Sequence, residues 1–128
     1  MYEIEIERVF NAAHALRLYD GSMEASHRHD WRTFIVVEAE ELDAMEVVLD
    51  FHELERVVGE VLKELDGKDL NEHKGFKDVN PSAERVAEYI FKQIEPGMDM
   101  AKGRARLASV TVTEAPGCRA TYRPGPRN

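Results

Sequence analysis

Residues 51–65, FHELERVVGEVLKEL, are the stretch of this sequence that decides its fold. Apolar residues recur there at helical spacing and form one stripe along a predicted helix. Asp50 is a good N-cap, and Glu53 follows three residues later, as in a capping box. Gly67 predicts the end of the helix. A long amphipathic helix in the middle of the chain needs a partner surface, and the flanking segments predict a sheet.

Three strands are predicted before this helix. Residues 2–7, YEIEIE, alternate apolar and acidic side chains, as in a half-buried strand. Residues 33–40 are rich in β-branched and aromatic residues, which favours a second strand. Between them, residues 18–26 have the composition of a loop. After a turn at 42–44, residues 47–49, VVL, are expected to form a third, short strand.

A second helix and two more strands are predicted after residue 67. Asn80 and Pro81 supply an N-cap and a first helical residue, and Pro96 with Gly97 ends the helix. Residues 107–114 and 119–123 are two closing strands. The order β-β-(β)-α-α-β-β predicts an α+β fold, with two helices on one face of an antiparallel, four-stranded sheet.

Composition narrows the class of protein. The chain has 128 residues, 43% of them hydrophobic, which suits a single domain over residues 1–128. A formal net charge of −8 argues against nucleic-acid and anionic-membrane partners. Cys118 is the only cysteine, so an internal disulfide framework is excluded. No apolar run approaches a membrane span and no signal sequence opens the chain, so we expect a cytoplasmic protein.

Three histidines could hold a metal ion. His27 and His29 are separated by one residue, which in a strand puts both imidazoles on the same face. His14, at the end of the first strand region, would complete a three-nitrogen set that leaves a fourth zinc position open. The alternative is an ordinary polar pair near a loop. His52 and His73 lack this spacing and are interpreted as ordinary polar residues.

Three carboxylates could add chemistry. Glu114 is in phase with the apolar side chains of its strand, so it turns toward the buried face, where a ligand with N–H donors would offset its burial. Alternatively, it turns to solvent at the strand end. Glu24, three residues before His27, could be a general base or merely a surface acid. Asp66 could transfer protons or be a solvated turn residue.

Six motifs occur in order along nearly the whole chain: FNAAH at 10–14, HRH at 27–29, VLDFHEL at 48–54, LD at 65–66 before LN at 70–71, NPSAE at 80–84, and VTE at 112–114 before ATY at 120–122. Together they resemble the 6-pyruvoyl-tetrahydropterin synthase family, which also contains 6-carboxy-tetrahydropterin synthase. The resemblance implies that His14, His27 and His29 bind zinc and that Glu114 anchors a pterin ring. It also implies the tunnelling fold, in which subunits surround a central β-barrel, commonly as homo-hexamers of two trimers with active sites between subunits.

The sequence also departs from the family pattern. The usual H-G-H is H-R-H here, so a long cation, Arg28, is expected beside the metal pair. The catalytic cysteine that normally precedes this motif is missing, and the usual Asp-His pair reads Asp66-Gly67. One branch of the family lacks the cysteine and carries a glutamate three residues before the first histidine, as Glu24 does here. That branch generally keeps the second histidine, for which His73 is a candidate substitute.

Members of that branch cleave the side chain of dihydroneopterin triphosphate to 6-hydroxymethyl-dihydropterin. The resemblance therefore implies a zinc-dependent lyase with Glu24 and Asp66 as catalytic residues. One alternative is a 6-pyruvoyl- or 6-carboxy-tetrahydropterin synthase with altered catalytic groups. Another is a pterin-binding protein without catalysis, which the missing cysteine and histidine would favour.

Overall fold

A computed structural model describes residues 1–125 of the chain. The last three residues, 126–128, which the sequence analysis assigns to the same domain, lie outside the described residues. The helices and strands, in chain order, are β1 (Tyr2–His14), β2 (His27–Ala39), α1 (Phe51–Lys63), β3 (Lys68–Asp69), α2 (Ala83–Ile94), β4 (Ala105–Ala115) and β5 (Cys118–Tyr122). Short 3₁₀ segments connect β3 to α2 and extend α2 at its C-terminal end.

The sheet has the order β3-β1-β2-β4-β5. β1 and β2 pair antiparallel without a break, from Tyr2 opposite Ala39 to His14 opposite His27. β4 pairs antiparallel with both β2 and β5. These four strands confirm the predicted α+β fold with an antiparallel sheet. The two-residue β3, parallel to β1, is a fifth strand too short for a pattern of alternating residues to predict.

The two faces of this sheet differ in composition. The face covered by the helices, called here the helix face, carries side chains such as Phe10, Ile35 and Val110, all buried in the core. The opposite face, called here the outer face, carries charged side chains such as Glu7 and Arg32. Both helices bury an apolar stripe, as the sequence predicts: Leu54, Val57, Val58 and Leu62 in α1, and Val86, Ala87, Ile90, Phe91 and Ile94 in α2.

The predicted start of α1 is confirmed, whereas that of α2 is wrong. The Asp50 side chain accepts a hydrogen bond from the His52 N–H and caps α1. α2 begins at Ala83 instead of Pro81, and Ser82 is its cap, accepting a hydrogen bond from the Arg85 N–H. Asn80 does not cap the helix because its carboxamide is bound to the backbone of Arg17.

The predicted third strand at residues 47–49 is also wrong. The Asp43 side chain accepts hydrogen bonds from the N–H groups of Met45 and Val47 and folds this segment into a turn. Val48 and Leu49 are buried in the core as part of an irregular connection, so their apolar character reflects burial and not strand pairing. Within residues 1–125, none of the helices has the length and apolar character needed to cross a bilayer.

Candidate metal centre

Strand pairing brings four polar side chains together at one end of the helix face. The β1–β2 ladder ends with His14 opposite His27, and His29 lies opposite Ala12. Because alternate residues share a face, all three imidazoles lie on the helix face. Val112 of β4 pairs with Thr33 of β2, so Glu114, two residues further on, reaches the same corner.

The geometry of this group suits a single ion. One ligand atom from each of His14, His27, His29 and Glu114 lies within 4.8 Å of the other three. The Nε2 atoms of His14 and His27 are 3.2 Å and 3.4 Å from Glu114 Oε1. The Nε2 atom of His29 is 3.8 Å from Glu114 Oε2. The structure thus brings the three predicted metal ligands together.

Unmet hydrogen-bonding capacity is concentrated in this group. His14 Nε2, His29 Nε2 and Glu114 Oε2 are buried and have no hydrogen-bond partner among the described residues. A buried polar atom without a partner costs about 1–3 kcal/mol, so such atoms are rare in folded proteins. A bound cation would satisfy all three atoms. Three imidazole nitrogens are a ligand set that zinc commonly takes, and the residues therefore fit a zinc ion.

The remaining ring nitrogens fix the orientation of two of these imidazoles. His14 Nδ1 donates to the Pro81 carbonyl at 2.7 Å, and His29 Nδ1 donates to the Asp30 carbonyl at 3.1 Å. These bonds put the proton on Nδ1 and leave the Nε2 lone pair free for a metal. Trp31 stacks on the His29 ring with centroids 4.2 Å apart and holds it from the core side.

Glu24 lies close along the chain to this group. Its Oε1 accepts a hydrogen bond from the Leu16 N–H at 2.9 Å, and its own N–H donates to the Leu16 carbonyl at 3.0 Å. Leu16 is two residues beyond His14. The Glu24 carboxylate is therefore held beside the segment that follows a metal ligand, although it is not one of the four clustered residues.

Asp66 is not brought to the histidines within one chain. Its Oδ1 accepts from the Asn11 N–H at 2.9 Å, and the Gly67 N–H donates to the Asn11 carbonyl at 2.6 Å. These bonds attach the end of α1 to the edge of β1. Gly67 has a φ of 76°, in the left-handed region where a side chain is strained. A histidine in this conformation would be strained, although no neighbouring atom lies within 4 Å of the place its Cβ would take.

The expectation that Arg28 lies beside the metal pair is wrong. Neighbouring residues of a strand point to opposite faces, so Arg28 lies on the outer face while His27 and His29 lie on the helix face. Its Nη1 donates to Asn11 Oδ1 at 2.8 Å, and Asn11 Nδ2 donates to Asp30 Oδ1 at 2.9 Å. Arg28 thus belongs to a polar network behind the site.

His73 is outside the four-residue group as well. Its ring packs against Phe76 and Tyr89, and its Nδ1 accepts from the Gly75 N–H at 3.0 Å. Burial, together with the nearby Lys74 cation, lowers the pKa of His73. In one chain, therefore, His73 does not occupy the place of a histidine beside the metal ligands.

Two parts of this site were missed in the sequence. Glu114 was predicted as a substrate anchor, and its place among the clustered ligand atoms depends on the β2–β4 register. No turn joins β2 to β4, which are separated by α1, β3 and α2, so no local pattern in the sequence indicates that register. The Pro81 carbonyl, which orients His14, is 67 residues away along the chain and gives no local signal.

Comparisons with known proteins agree with this fold. Residues 3–125 match the family model for 6-pyruvoyl tetrahydropterin synthase. The chain is 36% identical over 89 residues to dihydroneopterin monophosphate aldolase of Pyrococcus furiosus, covering 70% of this chain and 71% of the relative. It is 27% identical to 6-carboxy-5,6,7,8-tetrahydropterin synthase of Bacillus subtilis, covering 96% of this chain and 86% of the relative.

Among solved structures, 6-pyruvoyl tetrahydropterin synthase of Caenorhabditis elegans superimposes with a TM-score of 0.80 at 26% identity, covering 98% of each chain. This similarity extends over the whole sheet and both helices and confirms the tunnelling fold. The chain therefore belongs to the 6-pyruvoyl tetrahydropterin synthase family and is a pterin-metabolising enzyme.

Proposed function

We propose that this enzyme is a zinc-dependent lyase that cleaves the side chain of a dihydroneopterin phosphate to 6-hydroxymethyl-dihydropterin. The observation that carries the proposal is the pairing of Glu24 with Leu16, which holds a carboxylate next to the segment that follows His14. The similarity to the Pyrococcus furiosus aldolase supports the same type of reaction. Comparing the monophosphate with the triphosphate determines the number of phosphates on the substrate.

The metal ligands in this proposal are His14, His27 and His29. A bound zinc ion would supply Lewis acidity and lower the pKa of a coordinated substrate hydroxyl. His14 is fully buried, whereas the His27 side chain is 44% exposed, so the site opens to solvent on the β2 side. A substrate side chain can therefore approach from that side without unfolding the core.

Glu24 is the general base in this proposal. One of its oxygens is held by the Leu16 N–H, and the other is the proton acceptor for the hydroxyl on the second side-chain carbon. Loss of that proton converts the carbon–oxygen bond to a carbonyl and breaks the adjacent C–C bond. The electron pair passes into the conjugated pterin ring, and a proton returned to the first carbon completes the hydroxymethyl product and releases an aldehyde.

Glu114 orients the ring in this proposal. Its side chain is 38% exposed and lies at the mouth of the histidine group, where it can accept hydrogen bonds from adjacent N–H donors of a pterin. Hydrogen bonds to a charged acceptor contribute about 1.5–3 kcal/mol each. Fixing the ring in this way holds the scissile bond in one orientation relative to Glu24.

Asp66 would act in the site of a neighbouring subunit of a homo-hexamer. Apart from β3, the outer edge of β1 has no partner strand among residues 1–125, and neither has β5. Two open edges allow subunits to pair head to tail into a ring.

In such a ring β1 runs antiparallel to the neighbour's β5, since these strands run in opposite directions within one sheet. The end of β1, where Asp66 binds Asn11, would then face the end of the neighbour's β4, where Glu114 lies. Asp66 could return the proton there. Two stacked rings of three subunits would give the expected hexamer.

The test is product identification by mass spectrometry after incubating zinc-loaded protein with dihydroneopterin monophosphate or triphosphate. We expect 6-hydroxymethyl-dihydropterin from the wild type. Because Glu24→Gln keeps an acceptor for the Leu16 N–H and loses the base, turnover should fall by about 10²–10⁴ while pterin binding survives. Full activity in that variant would remove Glu24 from the mechanism.

The second candidate is a synthase, favoured by the Bacillus subtilis relative, which covers more of the chain. A 6-pyruvoyl or 6-carboxy product in the same assay would establish it and refute the cleavage reaction. Cys118, the only thiol, is exposed at the start of β5 and is not among the clustered residues. Unchanged substrate with tight pterin binding would indicate a binding protein without catalysis.

A further inference from the structure

The three residues that follow His14 have an unusual environment. The β1–β2 ladder ends at His14 opposite His27, so Ala15, Leu16 and Arg17 have no continuous partner strand. Nevertheless, the backbone N–H and C=O of each of these residues are both hydrogen-bonded. In each case one other residue supplies both partners. All backbone polar groups of this segment are thus paired, as they are in a strand inside a sheet.

Two asparagine side chains take the place of a strand on one edge. The Ala15 N–H donates to Asn71 Oδ1 at 2.8 Å, and Asn71 Nδ2 donates back to the Ala15 carbonyl at 2.8 Å. The Arg17 N–H donates to Asn80 Oδ1 at 2.7 Å, and Asn80 Nδ2 donates back at 3.0 Å. A carboxamide offers one acceptor and a donor side by side, as a peptide group does.

Glu24 holds the residue between them from the other edge. The Leu16 N–H donates to Glu24 Oε1, and the Leu16 carbonyl accepts from the Glu24 N–H. Alternation of edges along three consecutive residues is what an extended strand requires. Any rotation of this segment would therefore move the Glu24 carboxylate, because its bond to Leu16 would follow.

The two asparagines are themselves anchored near the metal ligands. The Asn71 N–H donates to the Asp69 side chain at 3.0 Å. Asn80 directly precedes Pro81, whose carbonyl accepts the hydrogen bond from His14 Nδ1. One dipeptide thus holds both the imidazole of a metal ligand and the backbone three residues further along.

We propose that Asn71 and Asn80 are positioning residues, acting as a substitute strand that sets the distance between the His14 imidazole and the Glu24 carboxylate. This inference rests on the proposed function, in which Glu24 is the base. Both asparagines are exposed; the hydrogen bonds of Asn80 to Arg17 are exposed as well, and those of Asn71 to Ala15 are part-buried, so truncation of either side chain opens its bonds to water. The fold should therefore survive in the variants while the fixed geometry is lost.

The test compares Asn71→Ala and Asn80→Ala with the wild type as full chains. Amide hydrogen exchange at Ala15 and Arg17, respectively, should speed up about tenfold, the equivalent of one hydrogen bond. Asn80→Asp, which keeps the acceptor, should restore protection of the Arg17 N–H. Gln93→Ala, which removes an exposed amide from α2, is the matched control and should change neither amide.

Two further measurements separate positioning from a merely structural role. The zinc affinity of Asn80→Ala, measured by chelator competition, should fall about tenfold because Pro81 no longer orients His14 firmly. On a dihydroneopterin phosphate, kcat should fall by up to about a hundredfold in both alanine variants, with KM within about twofold.

Unchanged exchange at residues 15 and 17 in both variants would overturn the inference. So would faster exchange with zinc affinity and kcat both at wild-type values, because the segment would then be ordered without positioning anything. If the wild type cleaves no dihydroneopterin phosphate, the proposed function fails by itself. Exchange and zinc affinity then decide whether the two asparagines position His14.

Discussion

Consecutive residues at the start of β2 lie on opposite faces of the sheet, and they differ in whether their side-chain polar atoms have hydrogen-bond partners. On the helix face, His29 and its neighbour His14 carry buried nitrogens without hydrogen-bond partners. On the outer face, Arg28 and Asp30 bind the two ends of the Asn11 carboxamide. Both faces are polar at this end of the sheet. Unmet hydrogen-bonding capacity, and not polarity, therefore distinguishes the face that could hold a metal ion.

Further along the same strands, Glu7 and Arg32 on the outer face also have hydrogen-bond partners. Arg32 Nε donates to Glu7 Oε2 at 2.9 Å, and this hydrogen bond lowers the pKa of Glu7 and raises that of Arg32. Arg32 also lies over the Phe34 ring, 5.3 Å from its centroid. Such exposed pairs contribute little to stability, but each side chain supplies the hydrogen-bond partner of the other without a ligand.

The largest effect is expected from removing the buried ligand on the helix face. His14→Ala deletes one of three imidazoles and should weaken zinc binding by at least about a hundredfold, measured by chelator competition. His52→Ala is the matched control, since the His52 side chain is 92% exposed and its Nδ1 lies 3.3 Å from Asp50 Oδ1 at the start of α1. Equal zinc affinity in the wild type and His14→Ala would exclude the helix-face group as the metal site.

Zinc binding is expected to have a smaller effect on thermal stability. Zinc at a hundred times its dissociation constant should stabilise the fold by about 2.7 kcal/mol and raise Tm by several degrees, as measured by calorimetry with and without chelator. His29→Ala should abolish this shift, and Arg28→Ala, one residue away on the outer face, should keep it. A zinc-dependent shift lost equally in both variants would contradict the difference between the faces.

Arg28→Ala should itself lower the free energy of unfolding only slightly. Its hydrogen bond to Asn11 is exposed, so water can replace it, and we expect a loss below about 1 kcal/mol in the free energy of unfolding. Urea denaturation measures this change, with Arg32→Ala as the comparison on the same face. A loss above about 3 kcal/mol would show that the Arg28–Asn11–Asp30 network stabilises the end of the sheet more than exposed hydrogen bonds do.

The parts of this molecule that could be predicted from sequence are those with local causes. The stripe at 51–65 predicted α1, and the spacing of His27 and His29 predicted a shared face. Contacts between distant segments could not be predicted, because they depend on packing. The Asp66–Asn11 and Asn71–Ala15 bonds join residues 55 and 56 positions apart.

Strand position and strand phase made His14 and Glu114 candidates, and family resemblance assigned them to one site with the histidine pair, since nothing local links them to it. It could not supply the consequence of replacing a glycine by Arg28. Strand alternation, applied to H-R-H as it was to the two histidines, would have predicted the outer face correctly. The false strand at 47–49 has a different cause, because apolar residues in a buried connection look like a strand.

The smallest effect is expected at His73, a part-buried histidine whose Nδ1 is satisfied by the Gly75 N–H. Burial lowers its pKa from an ordinary value of 6.5, so the folded state binds a proton more weakly than the unfolded state. The stabilisation is complete above pH 6.5 and is lost as pH falls toward the lower folded pKa. His73→Gln keeps an acceptor for Gly75 and should flatten this dependence.

The measurement is the free energy of unfolding of both proteins at pH 7.5 and pH 6, with zinc in excess. The metal ligands are the same in both, so their protonation cancels in the difference between wild type and variant. The wild type should lose more stability than His73→Gln over this interval, while zinc affinity at pH 7.5 stays equal. Equal losses of stability in the wild type and His73→Gln would mean that His73 is protonated as easily in the folded chain as in the unfolded one. A change in zinc affinity would instead mean that a histidine with its hydrogen bond satisfied still acts on the metal centre, which the comparison of the two faces excludes.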